Sequence, residues 1–129
     1  MRTWLTKALG LLAMLTLGFG MHGAAAQDGR PLTIGSKRFT ESYILAELLA
    51  QAAAPHLPAR PVVRQGLGNT AIVYEALRSG AIDLYAEYTG TISQEILKSP
   101  RPLSMQAMNE ALRPLGLGAA GPLGFNDGY

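Results

Sequence analysis

Short apolar runs alternate along this chain with segments of helical period, and each apolar run closes on a glycine or a polar turn. Leu32-Thr33-Ile34-Gly35, Val62-Val63-Arg64-Gln65 and Ile82-Asp83-Leu84-Tyr85 have the length and flanks of strands. Between the first two, Ile44, Leu45, Leu48, Leu49 and Ala52 recur at spacings of three to four, predicting a helix over Glu41 to Ala54. Thr40 is placed to cap it, Glu41 suits the positive end of its dipole, and Pro55 stops it. A second helix is predicted over Ala71 to Arg78 with Ser79-Gly80 as its exit, and a shorter one from Ile92 to Leu97. Beyond Pro100 and Pro102, Ser104 caps a further helix over Met105 to Leu112, with Met105, Met108 and Leu112 on one stripe. Parallel strands need long crossovers, so this β, α, β, α, β, α order implies an α/β fold with a mainly parallel sheet and flanking helices.

The first residues stand outside that pattern. Arg2 and Lys7 flank an apolar run, Ala8 to Met21, that ends in Gly23-Ala24-Ala25-Ala26. This reads as a secretory signal peptide over residues 1–26, cleaved before Gln27, with residues 27–129 as one small domain in the periplasm. The run is shorter than the roughly 20 residues of a membrane-spanning helix; an uncleaved N-terminal anchor is the other reading. The sequence has no Cys, which excludes lipid attachment at a mature N-terminal Cys and any disulfide. Of its 11 Lys/Arg, two lie in the signal, leaving nine against nine Asp/Glu. A neutral domain argues against nucleic acid or an acidic membrane surface as partner. At about 100 residues it would bury some 60 to 70 per cent of its unfolded surface, enough for one modest core.

Chemistry collects where the predicted strands end, which is where open α/β sheets bind ligands. Gly35-Ser36-Lys37-Arg38-Phe39-Thr40-Glu41 places a cation and hydroxyls between a strand and a helix N-terminus. That is either a seat for a carboxylate or phosphate or a solvated loop with two surface cations. Gly66-Leu67-Gly68-Asn69-Thr70 opens like a dinucleotide fingerprint, but Ala71-Ile72 stands where the third glycine belongs and no Walker lysine follows. Its glycines either let the backbone approach a ligand or chain segment, or make a tight turn. Leu84-Tyr85-Ala86-Glu87-Tyr88-Thr89-Gly90-Thr91 carries an apolar strand into an aromatic, acidic and hydroxyl-bearing turn. Tyr85 and Tyr88 point to opposite sides unless the chain turns between them. Tyrosine faces converging on a cleft hold a quaternary ammonium for about 0.5 to 2 kcal/mol each; the alternative is that they fill a gap between sheet and helix. Asp83 and Glu87 read more simply as strand-end polar residues than as paired catalytic carboxylates. Catalytic equipment is thin: His56 stands alone between prolines, and no Ser has a nucleophile-elbow context. Neither a metal nor a cofactor is expected.

Five segments taken together, Ile34 to Glu41, Gly66 to Thr70, Ser79 to Tyr85, Glu87 to Thr91 and Leu123-Gly124-Phe125-Asn126-Asp127-Gly128-Tyr129, resemble the glycine betaine, choline and carnitine binding proteins of osmoprotectant ABC transporters. The resemblance runs in consistent order over nearly the whole chain after residue 26. It implies a type 2 periplasmic-binding-protein fold of two α/β lobes that close over a quaternary-ammonium solute, passed on to permease subunits at the inner membrane. It implies no enzymatic activity. Carried over by position, Tyr88 and Tyr129 correspond to walls of a tyrosine cage, Lys37 and Thr91 to contacts with the solute carboxylate, and Asp127 to a backbone oxygen near the methyl groups. Members of the family are much longer, and their second lobe supplies further tyrosines and an arginine. The expectation is therefore the start of the first lobe only, binding weakly or not at all by itself. Gly128 stands where a Thr or similar residue is usual and would loosen the Tyr129 wall. The competing readings are a sensory or interaction module of the same fold and, less in keeping with the residues, a small-molecule enzyme.

Overall fold

In the computed structural model of the chain, residues 29–124 are described. Residues 1–26, expected from the sequence to be a signal peptide, and Asp127 and Tyr129 lie outside them. Three strands, β1 (Thr33–Lys37), β2 (Val62–Gly68) and β3 (Leu84–Tyr85), form one sheet in the order β2-β1-β3, and both pairings are parallel. Helix α1 (Thr40–Ala53) links the first two strands and α2 (Thr70–Arg78) the next. Beyond β3 the short α3 (Thr89–Thr91) widens into a π-helical turn, Ile92–Ile96, before α4 (Met105–Leu112). No helix among the described residues is long and apolar enough to cross a membrane.

The strand order fixes the geometry of any site. From β1 the chain steps one way to β2, then back across β1 to β3, so right-handed crossovers put α1 and α2 on opposite faces. The direction reverses between β1 and β3, so their carboxyl ends mark the switch point at which open sheets of this kind place a ligand crevice. As the central strand, β1 is buried throughout. Ile34 packs against Ala46 and Ala50 of α1, with Leu49, Val63 and Leu84 around them. The next residue, Gly35, faces the other way: a β-carbon there would lie 2.5 Å from Ile82 Cδ1 and 3.2 Å from Leu67 Cδ1. Val73 of α2 and Ile82 are buried, as are Met108 and Leu112 of α4.

Local chemistry departs from the sequence reading in three places. Helix α1 buries Ser42, Ala46 and Ala50 and leaves Ile44 and Leu48 about half exposed. Small residues, rather than the larger apolar ones, face the sheet and bring the helix close to β1. Thr40 is the first helical residue instead of the cap; Phe39 holds the cap position with extended backbone and no side-chain hydrogen bond. The glycine segment is the bulged end of β2 rather than a turn after it. Gly35 pairs with Arg64 but Lys37 with Gly68, so β2 carries extra residues between those rungs. Gly66 and Gly68 have φ of +66° and +151°, which glycine adopts without strain.

At the other end of the sheet, Asp83 ties β3 to β1. Its Oδ2 accepts from the Thr33 N–H at 2.7 Å, its own N–H donates to Thr33 O at 2.7 Å, and its carboxylate pairs with the Arg30 guanidinium. This clasp compensates for a strand with only two residues in the ladder.

Candidate ligand-binding site

The residues that the sequence places at strand ends converge on the crevice between β1 and β3. Lys37, the last residue of β1, turns its side chain across the switch point, where Nζ lies 2.5 Å from Glu87 Oε1. Both side chains are buried, at 9% and 4% exposure. The strand ends at Tyr85 and the chain turns, so Tyr88 swings back over Lys37 instead of continuing an alternating pattern. The Lys37 ammonium sits 5.2 Å from the Tyr88 ring centroid and 5.4 Å from that of Phe39, and the two rings are nearly parallel with centroids 6.5 Å apart. An ammonium held by two aromatic faces and a carboxylate is a cation site already filled by the chain's own lysine.

Backbone contacts lock this arrangement. The Lys37 N–H donates to the buried Ser42 Oγ at 2.8 Å, which fixes the β1-to-α1 turn. Ser36 Oγ, also buried, accepts from the Gly66 N–H at 2.9 Å, and the Arg38 N–H donates to Gly68 O at 3.0 Å. The Tyr88 N–H donates to Glu87 Oε1 at 3.0 Å, so that oxygen serves two donors. Glu87 Oε2 is buried and has no hydrogen-bond partner among the described residues. Burial raises the Tyr85 phenol above its ordinary value, and the Glu87 carboxylate beside it raises it further. Tyr85 thus stays a neutral hydroxyl beside that carboxylate.

An open groove adjoins the crevice, lined by Lys37, Arg38, Phe39, Gly68, Asn69 and Ile72. A second depression lies at the opposite edge, around Arg30, Leu32, Leu57 and Pro58. Only the first is at the carboxyl ends of the strands, and it shares Lys37 and Phe39 with the aromatic cluster. A phosphate loop does not fit it: the glycines belong to the β2 bulge, and Asn69 spends its side-chain oxygen on the Ile72 N–H at 3.2 Å. No group of three or more His, Cys, Asp or Glu among the described residues could hold a metal.

Of the five residues the sequence singles out, the structure brings Lys37 and Tyr88 together. Thr91 closes α3, three positions after Tyr88, which holds the cap position of that helix with extended backbone. Asp127 and Tyr129 lie outside the described residues. Sequence reasoning missed Phe39 and underrated Glu87, although both stood inside the two motifs it selected.

A family model for the substrate-binding domain of the ABC-type glycine betaine transport system matches residues 30–129. The chain belongs to this family. The family is one of transport substrate-binding domains rather than enzymes, and the parallel sheet with flanking helices is its periplasmic-binding-protein-like fold. Among curated proteins, the chain is similar to the ergothioneine transport permease/ergothioneine binding protein EgtU of Helicobacter pylori (strain G27), with 31% identity over 99% of the chain and 24% of that protein. It is also similar to the glycine betaine-binding protein YehZ of Escherichia coli (strain K12), with 38% identity over 50% of the chain and 21% of that protein. The matched segment covers less than a quarter of the length of either relative.

Proposed function

We propose that this chain carries one wall of a binding site for a quaternary-ammonium solute of the glycine betaine or choline type, taken up by an ABC transporter. The observation that carries the reading is the Lys37 ammonium held against the Phe39 and Tyr88 rings at the β1/β3 switch point. A pair of aromatic faces that holds one ammonium offers the same quadrupole to another. In this reading Tyr88 and Tyr129 flank the trimethylammonium head, and the Asp127 backbone oxygen lies near its methyl groups. Lys37 and Thr91 take the carboxylate of a betaine. Residues 1–26 act as an export signal, the domain over 27–129 works in the periplasm, and the loaded domain presents its solute to permease subunits.

Affinity follows from how much of the solute is enclosed. The described cluster contributes two rings and one cation, worth a few kcal/mol in all, against the cost of immobilising the solute. The 129-residue chain should therefore bind glycine betaine at about millimolar strength or weaker. Titration of the labelled chain, followed by amide shifts, tests this. Changes centred on Lys37, Phe39, Tyr88 and Thr91 are expected. Micromolar affinity by calorimetry would overturn the claim of a single wall, and shifts confined to the Arg30 and Leu57 depression would overturn the site.

A further inference from the structure

We propose that Glu87 sets this site's discrimination between solutes that carry a carboxylate and those that do not, by competing with the solute for the Lys37 ammonium. The inference rests on the functional reading above and adds to it a positioning residue that acts through Lys37.

The Lys37 Nζ lies 2.5 Å from Glu87 Oε1 and within 5.4 Å of two ring centroids, and its side chain is 9% exposed. The ammonium is turned to Glu87 and shielded by the two rings, on a nearly buried side chain that lines the open groove. A betaine carboxylate competes with Glu87 for Lys37, whereas a solute bearing only the ammonium head can approach the rings with the pair intact. Glu87 is unevenly satisfied: Oε1 takes both Lys37 and the Tyr88 N–H, while Oε2 is buried without a hydrogen bond among the described residues. A carboxylate bonded through one oxygen only can be displaced more readily than one bonded through both. Once Lys37 turns to the solute, the Tyr88 N–H still holds Glu87. Its negative charge then faces the cationic head beside Tyr88, so a zwitterion exchanges both partners of the ion pair and leaves the crevice neutral. A net cation leaves it with an extra positive charge, and that cost is what Glu87 keeps small.

The two ends of the comparison are therefore glycine betaine and choline, and the readout is the ratio of their dissociation constants on the full 129-residue chain by amide-shift titration. Glu87→Gln keeps an acceptor for the Tyr88 N–H and removes the competing charge. It should weaken choline and leave glycine betaine little changed, because the freed Lys37 offsets the charge lost beside the ammonium head, moving the ratio by about tenfold in favour of glycine betaine. A merely structural role would weaken both solutes alike, and an unchanged ratio overturns the proposal while leaving the functional reading in place. A second measurement uses the unmutated protein and so does not depend on the variant folding. The Glu87 carboxyl carbon should shift on adding glycine betaine and stay still on adding choline; equal shifts with both overturn the proposal. If neither solute moves any resonance near Lys37 or Tyr88, the functional reading fails and this inference fails with it.

Discussion

Replacing Lys37 by Met tests whether the crevice is the tight, dry pairing that the structure shows. The substitution keeps the length of the side chain and removes its charge. Glu87, 4% exposed, would lose its cationic partner and keep the Tyr88 N–H at 3.0 Å. Breaking a buried pair from one side costs about 3–5 kcal/mol, because the surviving charge is left uncompensated. Lost cation–π contacts to Phe39 and Tyr88 fall within that sum, and Met sulfur against the rings returns part of it. A domain this small has roughly 5 kcal/mol of stability to begin with, so Lys37→Met should be close to unfolding at room temperature. Glu87→Gln in the same background removes the orphaned charge and still accepts from the Tyr88 N–H. The double variant should therefore recover to within about 1 kcal/mol of the parent. Urea unfolding by far-ultraviolet circular dichroism measures all four corners of the cycle. A cost below about 1 kcal/mol for Lys37→Met, with simple additivity in the double variant, would show a solvated pair of the kind found on surfaces and refute the reasoning.

Other expectations follow from single contacts. Ser42→Ala removes the acceptor of the buried Lys37 N–H and should cost about 1–3 kcal/mol, read as a lower urea midpoint at unchanged slope. Gly68→Ala puts a β-carbon 2.6 Å from Ile72 Cδ1 at a φ of +151°, and should lower stability by about 1–3 kcal/mol in the same assay. Asp83→Ala frees the Thr33 N–H and unties β3, at a cost of about 2 kcal/mol; 1 M salt should change the parent's stability little, because Arg30 is half exposed. Tyr85 has a raised pKa in the folded state, so the folded chain holds that proton more tightly than the unfolded one. The associated stability is present below about pH 10 and falls as pH rises beyond it. Tyr85→Phe should flatten this alkaline loss, measured as the slope of unfolding free energy between about pH 9.5 and 11.

The element order was legible because it depends on period and punctuation. The three strands, the exit at Ser79-Gly80 and the Ser104 cap, whose Oγ accepts from the Ala107 N–H at 3.2 Å, all follow from local chemistry. What packs against what was less legible. The Ile44, Leu48 stripe of α1 looks like a core face, but α1 meets Ile34 of β1 through Ala46 and Ala50; which face packs is a property of both partners. The β2 bulge was hidden for a similar reason, since glycines that read as a turn are held in the ladder by Ser36 Oγ and Arg38 N–H from the neighbouring strand. At the site, Lys37 and Tyr88 were visible as residue types at strand ends. Glu87 was not, because its part depends on a partner 50 positions away in the chain. Phe39 was hidden by its place between a cation and a helix start, where an aromatic ring reads as incidental.

In the proposed function, the crevice between β1 and β3 receives an ammonium head on the Phe39 and Tyr88 rings. Intermolecular nuclear Overhauser contacts between the methyl protons of bound glycine betaine and the labelled chain test it most directly. Contacts to the ring protons of Tyr88 and Phe39 are expected, with none to Leu57 or Pro58. Contacts to the latter pair, or to the exposed Ile44 and Leu48 face of α1, would contradict it.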